Sequence, residues 1–272
     1  MGYGVKKLLP TLAHSLTNPQ QAMLTLQQIS TGYGKHLIGC DLNAHLAPAS
    51  LTILLGINGA GKSTLLRTIA GFQPALSGHI LYKGEPLQVL RPRQLAQVIS
   101  VVLTSRPTAE ALTAHQVVET GRMPYSTLLS RPTPEDSQAI ERAVELTQTR
   151  SLLPRFIHTL SDGERQRIFI AKALAQDTPI ILLDEPTAFL DFPTKVHTFK
   201  LLSRLAHEEG KSILISTHDV EMALHFADTL WLLSRQGITT GSPHQLAMDG
   251  TIDRFFSQEG LRFDAEKMRF EY

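Results

Sequence analysis

Residues 56–63 read Gly-Ile-Asn-Gly-Ala-Gly-Lys-Ser and follow the apolar run Leu-Thr-Ile-Leu-Leu at 51–55. The segment matches G-x-x-x-x-G-K-[ST], in which glycines let successive backbone N–H groups point at phosphate oxygens beside a helix N-terminus. We therefore expect a strand, a phosphate-binding loop and a helix that begins at Lys62. A glycine-rich turn that binds no ligand is the alternative. The residues predicted to hold the phosphates are Asn58, Gly59, Ala60, Gly61, Lys62, Ser63 and Thr64.

A second apolar run ends in two carboxylates. Residues 179–186 read Pro-Ile-Ile-Leu-Leu-Asp-Glu-Pro, and such aliphatic runs are typical of a strand buried on both faces. Asp184 is then expected at the C-terminal edge of the sheet, where open α/β sheets bind ligands. Asp184 and the Ser63 hydroxyl are predicted to hold Mg²⁺, while Lys62 reaches the β- and γ-phosphates. Glu185 is predicted to polarise an attacking water. A polar strand end before a turn proline is the alternative.

The composition fits a globular protein with one large domain and an inserted or appended subdomain. The chain has 272 residues, of which 42% are hydrophobic and 19% charged, and its formal net charge is +1. This charge excludes the large positive field by which proteins hold nucleic acid. Cys40 is the only cysteine, which rules out an intrachain disulfide and a four-thiolate metal site. We find no signal-peptide pattern and no window of about 20 apolar residues that would span a bilayer.

The order of the segments predicts a doubly wound α/β core. Apolar runs at 98–103, 179–184 and 212–217 share the buried parallel-strand pattern. Residues 105–165 contain several prolines and show helical periodicity, which indicates an inserted helical subdomain. We expect a loose N-terminal extension over 1–22, the main domain over 23–258, short helices from about Pro243, and a C-terminal tail over 259–272.

Residues 160–164, Leu-Ser-Asp-Gly-Glu, open a helical segment. A serine followed by an acidic residue is an ordinary helix N-cap. The segment also resembles, as a variant, the LSGGQ signature of ABC-type ATPases, and it lies between the glycine loop and Asp184 as in that family. The resemblance implies an α/β P-loop NTPase (RecA-like) core with an antiparallel β subdomain and an inserted α-helical subdomain. It further implies that Ser161 and Gly163 cap the γ-phosphate held by an opposite subunit, so that the active unit is a head-to-tail homodimer.

The same resemblance assigns roles to three more residues and implies ATP and Mg²⁺ as cofactors. Tyr33 stands at the place of the aromatic residue that stacks on adenine, although a surface or buried tyrosine is the alternative. Asp191 follows Glu185 as the D-loop does and would communicate across the dimer. His218 matches the switch histidine, which contacts the γ-phosphate and orients the attacking water. A lone histidine is otherwise usually structural.

One position departs from the family pattern. The strand before the helical subdomain ends in a glutamine in ABC ATPases, whereas Thr104 stands at this position here. A threonine hydroxyl is shorter and stiffer than a glutamine amide. We therefore expect Thr104 to contact Mg²⁺ only through an intervening water, if at all.

Three stretches, at 121–147, 182–191 and 241–256, resemble the ATP-binding subunits of importers for iron–siderophore complexes, haem and cobalamin. The resemblance implies an ATPase that energises iron(III)-siderophore uptake from the cytoplasmic face of the inner or plasma membrane. Its partners would be a two-subunit polytopic permease, through coupling helices, and indirectly a periplasmic or lipoprotein binding protein. The candidates for the surface that receives a coupling helix are Arg106, Arg122 and Tyr125. A solvated loop with stray basic residues is the alternative.

Other functions remain compatible with the motifs. Haem or cobalamin could be the cargo, since cargo contacts the other subunits and leaves no mark on this chain. A soluble ABC ATPase acting on DNA or ribosomes is a second class, which the near-neutral charge and the lack of a long coiled-coil insertion disfavour. An ATPase of cofactor assembly and the ATPase of an exporter are the remaining alternatives.

Overall fold

A computed structural model describes residues 22–34, 36–57, 59–103, 111–126, 132–234, 236–257 and 262–271. The predicted N-terminal extension lies outside these residues except for Ala22. The sequence-based assignments of Asn58, Thr104 and Arg106 also fall outside them.

Strands and helices alternate along most of the described chain. The strands are β1 (Leu24–Tyr33), β2 (His36–Leu46), β3 (Leu51–Gly56), β4 (Ser77–Tyr82), β5 (Glu85–Pro86), β6 (Ile99–Val102), β7 (Ile180–Asp184), β8 (Ser212–Ser216), β9 (Thr229–Ser234), β10 (Gly237–Gly241), β11 (Arg262–Asp264) and β12 (Arg269–Glu271). The helices are α1 (Lys62–Ile69), α2 (Pro92–Leu95), α3 (Ala114–Glu119), α4 (Pro134–Thr147), α5 (Asp162–Ala175), α6 (Phe192–His207), α7 (Val220–Phe226), α8 (Pro243–Met248) and α9 (Thr251–Phe256).

The central sheet has the order β10-β9-β3-β8-β7-β6. Its neighbouring strands are parallel except for β10, which pairs antiparallel with β9. Every residue of β3, β7 and β8 is buried, which explains why these strands read as continuous apolar runs. Because the three strands are parallel neighbours, their C-terminal ends meet at one edge of the sheet. The predicted α/β class is confirmed.

The two faces of this sheet bury two separate hydrophobic clusters. Alternate residues of a strand point to opposite faces, so Ile53, Ile181 and Ile215 join the cluster that includes side chains of α5 and α6. Leu54 and Leu182 join the other cluster, with side chains of α1 and the antiparallel sheet. Full burial of each aliphatic side chain stabilises the fold by about 1.5–3 kcal/mol before entropy losses. The central sheet is thus covered on both sides.

The predicted antiparallel β subdomain and helical insertion are both present. The second sheet has the order β2-β1-β4-β5, and its buried face packs with α1. Helices α3 and α4 lie between β6 and β7 in the chain. The N-terminus of α4 is capped by Thr133, whose side chain accepts from the Asp136 N–H, and it carries proline at its first turn. The boundaries 23–258 and 105–165 stay predictions.

The C-terminal residues form a hairpin in addition to the short helices that the sequence predicted. Helices α8 and α9 are followed by the hairpin β11–β12, in which Phe263 pairs with Phe270. The Phe270 ring centroid lies 5.2 Å from that of Phe256 on α9 and 5.0 Å from that of Phe263. This aromatic packing supplies the stability that so short a hairpin lacks by itself. Among the described helices, none is both long and apolar enough to cross a bilayer.

Candidate functional site

The glycine loop carries the chain from β3 directly into α1. Gly59 and Gly61 have φ of 77° and 95°, in the left-handed region that glycine adopts without steric cost. A Cβ at Gly61 would lie 2.4 Å from Cγ2 of Ile38, so the packing of β2 leaves room for glycine alone. Helix α1 begins without a side-chain cap. The N–H groups of its first turn can therefore bind a phosphate.

Lys62 is the cationic group of the loop. It is only 6% exposed, its Nζ donates to the Gly56 carbonyl at 2.9 Å, and the same atom lies 3.2 Å from Nε2 of His218. Burial lowers the pKa of Lys62, while the negative charges of Glu185 and Asp184 act in the opposite direction. The ammonium thus lies between the phosphate loop and two carboxylates.

Ser63 and Asp184 meet at the start of α1 and the end of β7. The Ser63 hydroxyl donates to Oδ1 of Asp184 at 3.0 Å, and Asp184 is 5% exposed. Hydroxyl and carboxylate oxygens suit Mg²⁺, which takes one or two protein ligands together with substrate phosphates and waters. In the described chain no cluster of three or more His, Cys, Asp or Glu side chains forms a complete metal cage. The donor set therefore fits a magnesium ion that is shared with a phosphate.

Glu185 and His218 form a direct pair beside Lys62. Nε2 of His218 lies 2.6 Å from Oε1 of Glu185, and the two side chains are 44% and 25% exposed, respectively. Both line a cavity of about 470 Å³, which also contains Lys195 and Phe270. The Glu185 backbone has φ of 48°, an unusual conformation for a residue with a side chain. A partly exposed carboxylate next to a cavity can reach a water molecule.

Ser216 belongs to this site and was missed by the sequence analysis. It is the last residue of β8, directly opposite Asp184 in the parallel register. Its hydroxyl donates to Oδ1 of Asp184 at 2.6 Å and accepts from the N–H of Glu185 at 3.0 Å. The sequence feature that could have pointed to Ser216 is its position, because it is a polar residue at the C-terminal end of a buried strand.

Tyr33 lies against the helix that follows the glycine loop. The pKa of Tyr33 is lowered, chiefly by interaction of its hydroxyl with the side chain of Thr64; burial opposes this effect, and Arg67 lowers the pKa further. The tyrosine is 51% exposed, so its ring is accessible to a flat ligand such as a nucleobase.

The signature segment (residues 160–164) forms the N-terminus of α5. The Ser161 hydroxyl accepts from the Glu164 N–H at 3.3 Å, and the Glu164 carboxylate accepts from the Ser161 N–H at 2.9 Å. This capping box lowers the pKa of Glu164, chiefly through the backbone bond from Ser161. A Cβ at Gly163 would lie 2.8 Å from Cγ2 of Thr194, so glycine permits the close approach of α5 to α6.

Asp191 caps the neighbouring helix α6. Its Oδ1 accepts from the Thr194 N–H at 3.1 Å. The hydrogen bonds from Thr194, first from its side chain and then from its backbone, lower the pKa of Asp191. The flanking residues Phe189 and Phe192 are both 64% exposed. Asp191 therefore stands in an exposed, partly aromatic surface segment.

Seven of the predicted residues fall into two groups. The first group meets at the ends of β3, β7 and β8 and comprises Lys62, Ser63, Asp184, Glu185 and His218. The second group, Ser161 and Gly163, lines a different cavity of about 580 Å³ between α5 and α6. Among the described residues that line this second cavity, none belongs to the first group.

Arg122, a candidate for the surface that receives a coupling helix, is bound within the chain. Its guanidinium donates from Nε to Asp136 at 2.8 Å and from Nη1 to the Ala175 carbonyl at 2.8 Å. The Arg122 and Asp136 side chains are 12% and 8% exposed, and the guanidinium carbon lies 4.0 Å from the ring centroid of Tyr125. Arg122 is therefore an internal link between α4 and α5, and Tyr125 stacks on it.

Comparisons with known proteins agree with this geometry. Residues 40–188 match the family model described as ABC transporter. The ferric enterobactin transport ATP-binding protein FepC of Escherichia coli is 35% identical over 89% of this chain and 88% of its own length. The petrobactin import ATP-binding protein FpuD of Bacillus anthracis is 33% identical over 88% of both chains.

A solved structure shows the same architecture. The structure of cbiO1 from Clostridium perfringens, described as part of the ABC transporter complex cbiONQ, superposes with a TM-score of 0.76. It is 25% identical and covers 88% of this chain and 95% of its own. Proteins of this family bind ATP, and their ATP-binding subunits dimerise and work with membrane permeases. The chain therefore belongs to the ABC transporter family, as an ATP-hydrolysing subunit.

Proposed function

We propose that the chain powers the uptake of an iron(III)-siderophore through a separate membrane permease. The observation that carries this proposal is its similarity, over nearly the whole chain, to FepC and FpuD, whose names state ferric enterobactin transport and petrobactin import. The chain would lie peripherally at the cytoplasmic face of the membrane. The permease would dock through its coupling helices on the helical subdomain of residues 105–165.

The proposed binding of ATP begins at the glycine loop. Gly59, Gly61 and the first turn of α1 direct N–H groups at the phosphates, and Lys62 pairs with the β- and γ-phosphates. Tyr33 stacks on adenine, which its exposed ring supports. Ser63 and Asp184 would hold Mg²⁺, and the bound ion would neutralise negative charge on the phosphates.

The proposed hydrolysis uses Glu185 as the general base. Its carboxylate accepts the proton of the attacking water, and its contact with His218 at 2.6 Å holds it in place. His218 in turn orients the water toward the γ-phosphate. Ser161 and Gly163, at the N-terminus of α5, cap the γ-phosphate bound by a second copy of the chain, and Asp191 lies at the junction between copies. Two copies would then form two shared sites.

An uptake assay in the source organism tests the cargo. We expect deletion of the gene to abolish energy-dependent uptake of a radioiron-labelled siderophore, the intact gene to restore it, and the Glu185→Gln variant not to restore it. Labelled haem and cobalamin are measured in parallel. Loss of haem or cobalamin uptake alone, with siderophore uptake unchanged, would identify that compound as the cargo. Unchanged uptake of all three, with the protein bound to ribosomes or nucleic acid, would rule out import.

A further inference from the structure

We propose that Ser216 is a positioning residue for ATP hydrolysis, and this inference rests on the roles proposed above for Asp184 and Glu185. Ser216 is fully buried and contacts both residues. One hydroxyl thereby links the carboxylate that would hold the metal to the residue that would activate water.

The first link is to the Asp184 carboxylate. Ser216 donates to Oδ1 at 2.6 Å, and Ser63 donates to the same oxygen at 3.0 Å. The parallel register places Ser216 directly opposite Asp184, so the donor comes from a rigid strand and not from a loop. Two fixed donors on one oxygen restrict the rotation of the carboxylate. Outer partners of this kind orient metal-binding carboxylates.

The second link is to the Glu185 backbone. Glu185 has φ of 48°, a conformation that costs a non-glycine residue roughly 1–3 kcal/mol and persists only where the surroundings enforce it. Its N–H donates to both the hydroxyl of Ser216, at 3.0 Å, and the carbonyl of Ser216, at 3.1 Å. These two acceptors hold the turn that points Glu185 toward His218 and the cavity.

The same strand contains a matched control. Ser212 begins β8 and is also fully buried. Its hydroxyl has no hydrogen-bond partner among the described residues. Replacing either serine with alanine removes one buried hydroxyl with little change in volume. Only the Ser216 change removes contacts to Asp184 and Glu185.

The experiment compares Ser216→Ala with Ser212→Ala in the full-length chain. We expect Ser216→Ala to lower kcat about 10- to 100-fold, which is the usual loss when an outer partner of a metal-binding carboxylate is removed. The affinity for ATP without metal should stay within about twofold, since the glycine loop is unchanged. Mn²⁺ binding in the presence of a nonhydrolysable ATP analogue, measured by electron paramagnetic resonance, should weaken about tenfold. Ser212→Ala should leave kcat and Mn²⁺ affinity within about twofold.

Two results overturn the proposal. One is a Ser216→Ala protein with the kcat and Mn²⁺ affinity of Ser212→Ala. The other is a loss of thermal stability alone, which a purely structural hydroxyl would give. Glu185→Gln is measured alongside, so that failure of the proposed base can be told apart from failure of the Ser216 proposal. Turnover at the parental rate in Glu185→Gln would refute the assignment of Glu185 as the base, and the comparison of Ser216→Ala with Ser212→Ala would still stand. If Ser216→Ala does not fold, Ser216→Cys, which keeps a weak donor, allows the same comparison and should show a smaller loss.

Discussion

Glu185, His218 and Lys62 form a connected set of side chains at the end of the central sheet. His218 Nε2 lies 2.6 Å from the Glu185 carboxylate, and its Nδ1 lies 3.4 Å from Lys62 Nζ. Lys62 Nζ also lies 3.2 Å from Nε2, and its hydrogen bond of 2.9 Å goes to the Gly56 carbonyl. With the proton on Nε2, His218 donates to Glu185. In this arrangement His218 holds the Glu185 carboxylate as an acceptor. The hydrogen bond fixes the position of the carboxylate beside the cavity that both residues line.

Replacing Glu185 with glutamine should abolish turnover without loss of ATP binding. The amide keeps the size and the acceptor oxygen of the side chain but cannot act as a base. We expect kcat to fall about 10²- to 10⁴-fold, the usual contribution of a general base, as measured by single-turnover hydrolysis. Glu221→Gln is the control, since Glu221 lines the same cavity. Equal rates for Glu185→Gln and the parent would contradict the assignment.

The affinity for ATP should fall as pH rises through the alkaline range. The pKa of Lys62 is lowered by burial, so the free protein loses this ammonium at a pH below the ordinary lysine value of about 10.4. ATP needs the charged form, so the dissociation constant should rise with pH. Calorimetric titration should show the parent curve converging on that of Lys62→Ala, which is weaker but flat. A constant gap between the two curves would show that Lys62 does not titrate there.

Some site residues could be read from the sequence and others could not. Lys62, Ser63 and Asp184 stand in motifs whose spacing predicts phosphate and metal contacts, and the structure brings Ser63 and Asp184 into hydrogen-bond contact. Ser216 contributes through a pairing between two strands distant in sequence, which no local pattern reveals. Arg122 is a candidate for the partner surface only through the resemblance to importer subunits, and the sequence shows no sign of its internal contacts. Its partner Asp136 lies 14 residues further along the chain, and the contact between them forms only on folding.

At the scale of helices, Arg122 joins α4 to the end of α5 through its hydrogen bonds to Asp136 and to the Ala175 carbonyl. Arg122→Ala should lower the free energy of unfolding by about 2 kcal/mol, because the nearly buried Asp136 loses its charged partner and keeps the hydrogen bond from the Thr133 N–H. Urea denaturation measures this. Arg150→Ala is the control, because the Arg150 and Glu141 side chains are 61% and 50% exposed. That pair should contribute less than about 1 kcal/mol, and equal losses would show that Arg122 is not a buried link.

The predictability of each element follows its length and burial. Strands β7 and β8 were evident because fully buried parallel strands must be apolar throughout. The hairpin β11–β12 was missed, since strands of three residues carry no periodic signal. Its stability comes from the packing of Phe263 and Phe270 near α9, a contact that forms only in the folded chain.

For the molecule as a whole, the separation of the two groups of site residues is the main constraint. Ser161 and Gly163 line a cavity apart from the one that Glu185 and His218 line. If Ser161 and Gly163 cap a γ-phosphate, as proposed above, a phosphate beside Lys62 would receive them from another copy. The resemblance to ABC ATPases predicts that the two motifs of one chain serve different sites, while their positions in the fold depend on the order of strands in the central sheet.

The Glu185→Gln protein should dimerise only in the presence of ATP. ATP that is not hydrolysed would remain shared between two copies and hold them together. We expect light scattering to give the mass of a monomer without nucleotide and of a dimer with Mg·ATP. Adding Ser161→Arg to this variant should prevent the dimer, because a bulky side chain blocks the N-terminus of α5. A dimer that persists with Ser161→Arg would place the contact elsewhere.

Mixing two defective chains tests the head-to-tail arrangement directly. Both chains carry Glu185→Gln; one adds Lys62→Ala, which weakens the phosphate loop, and the other adds Ser161→Arg. Neither should dimerise alone with Mg·ATP. In the mixture, one site combines the intact loop of the second chain with the intact signature segment of the first. A heterologous contact permits this pairing, so we expect light scattering to detect dimers only in the mixture. If loop and signature segment of the same chain enclosed one ATP, no mixture could regain a complete site, and the protein would remain monomeric.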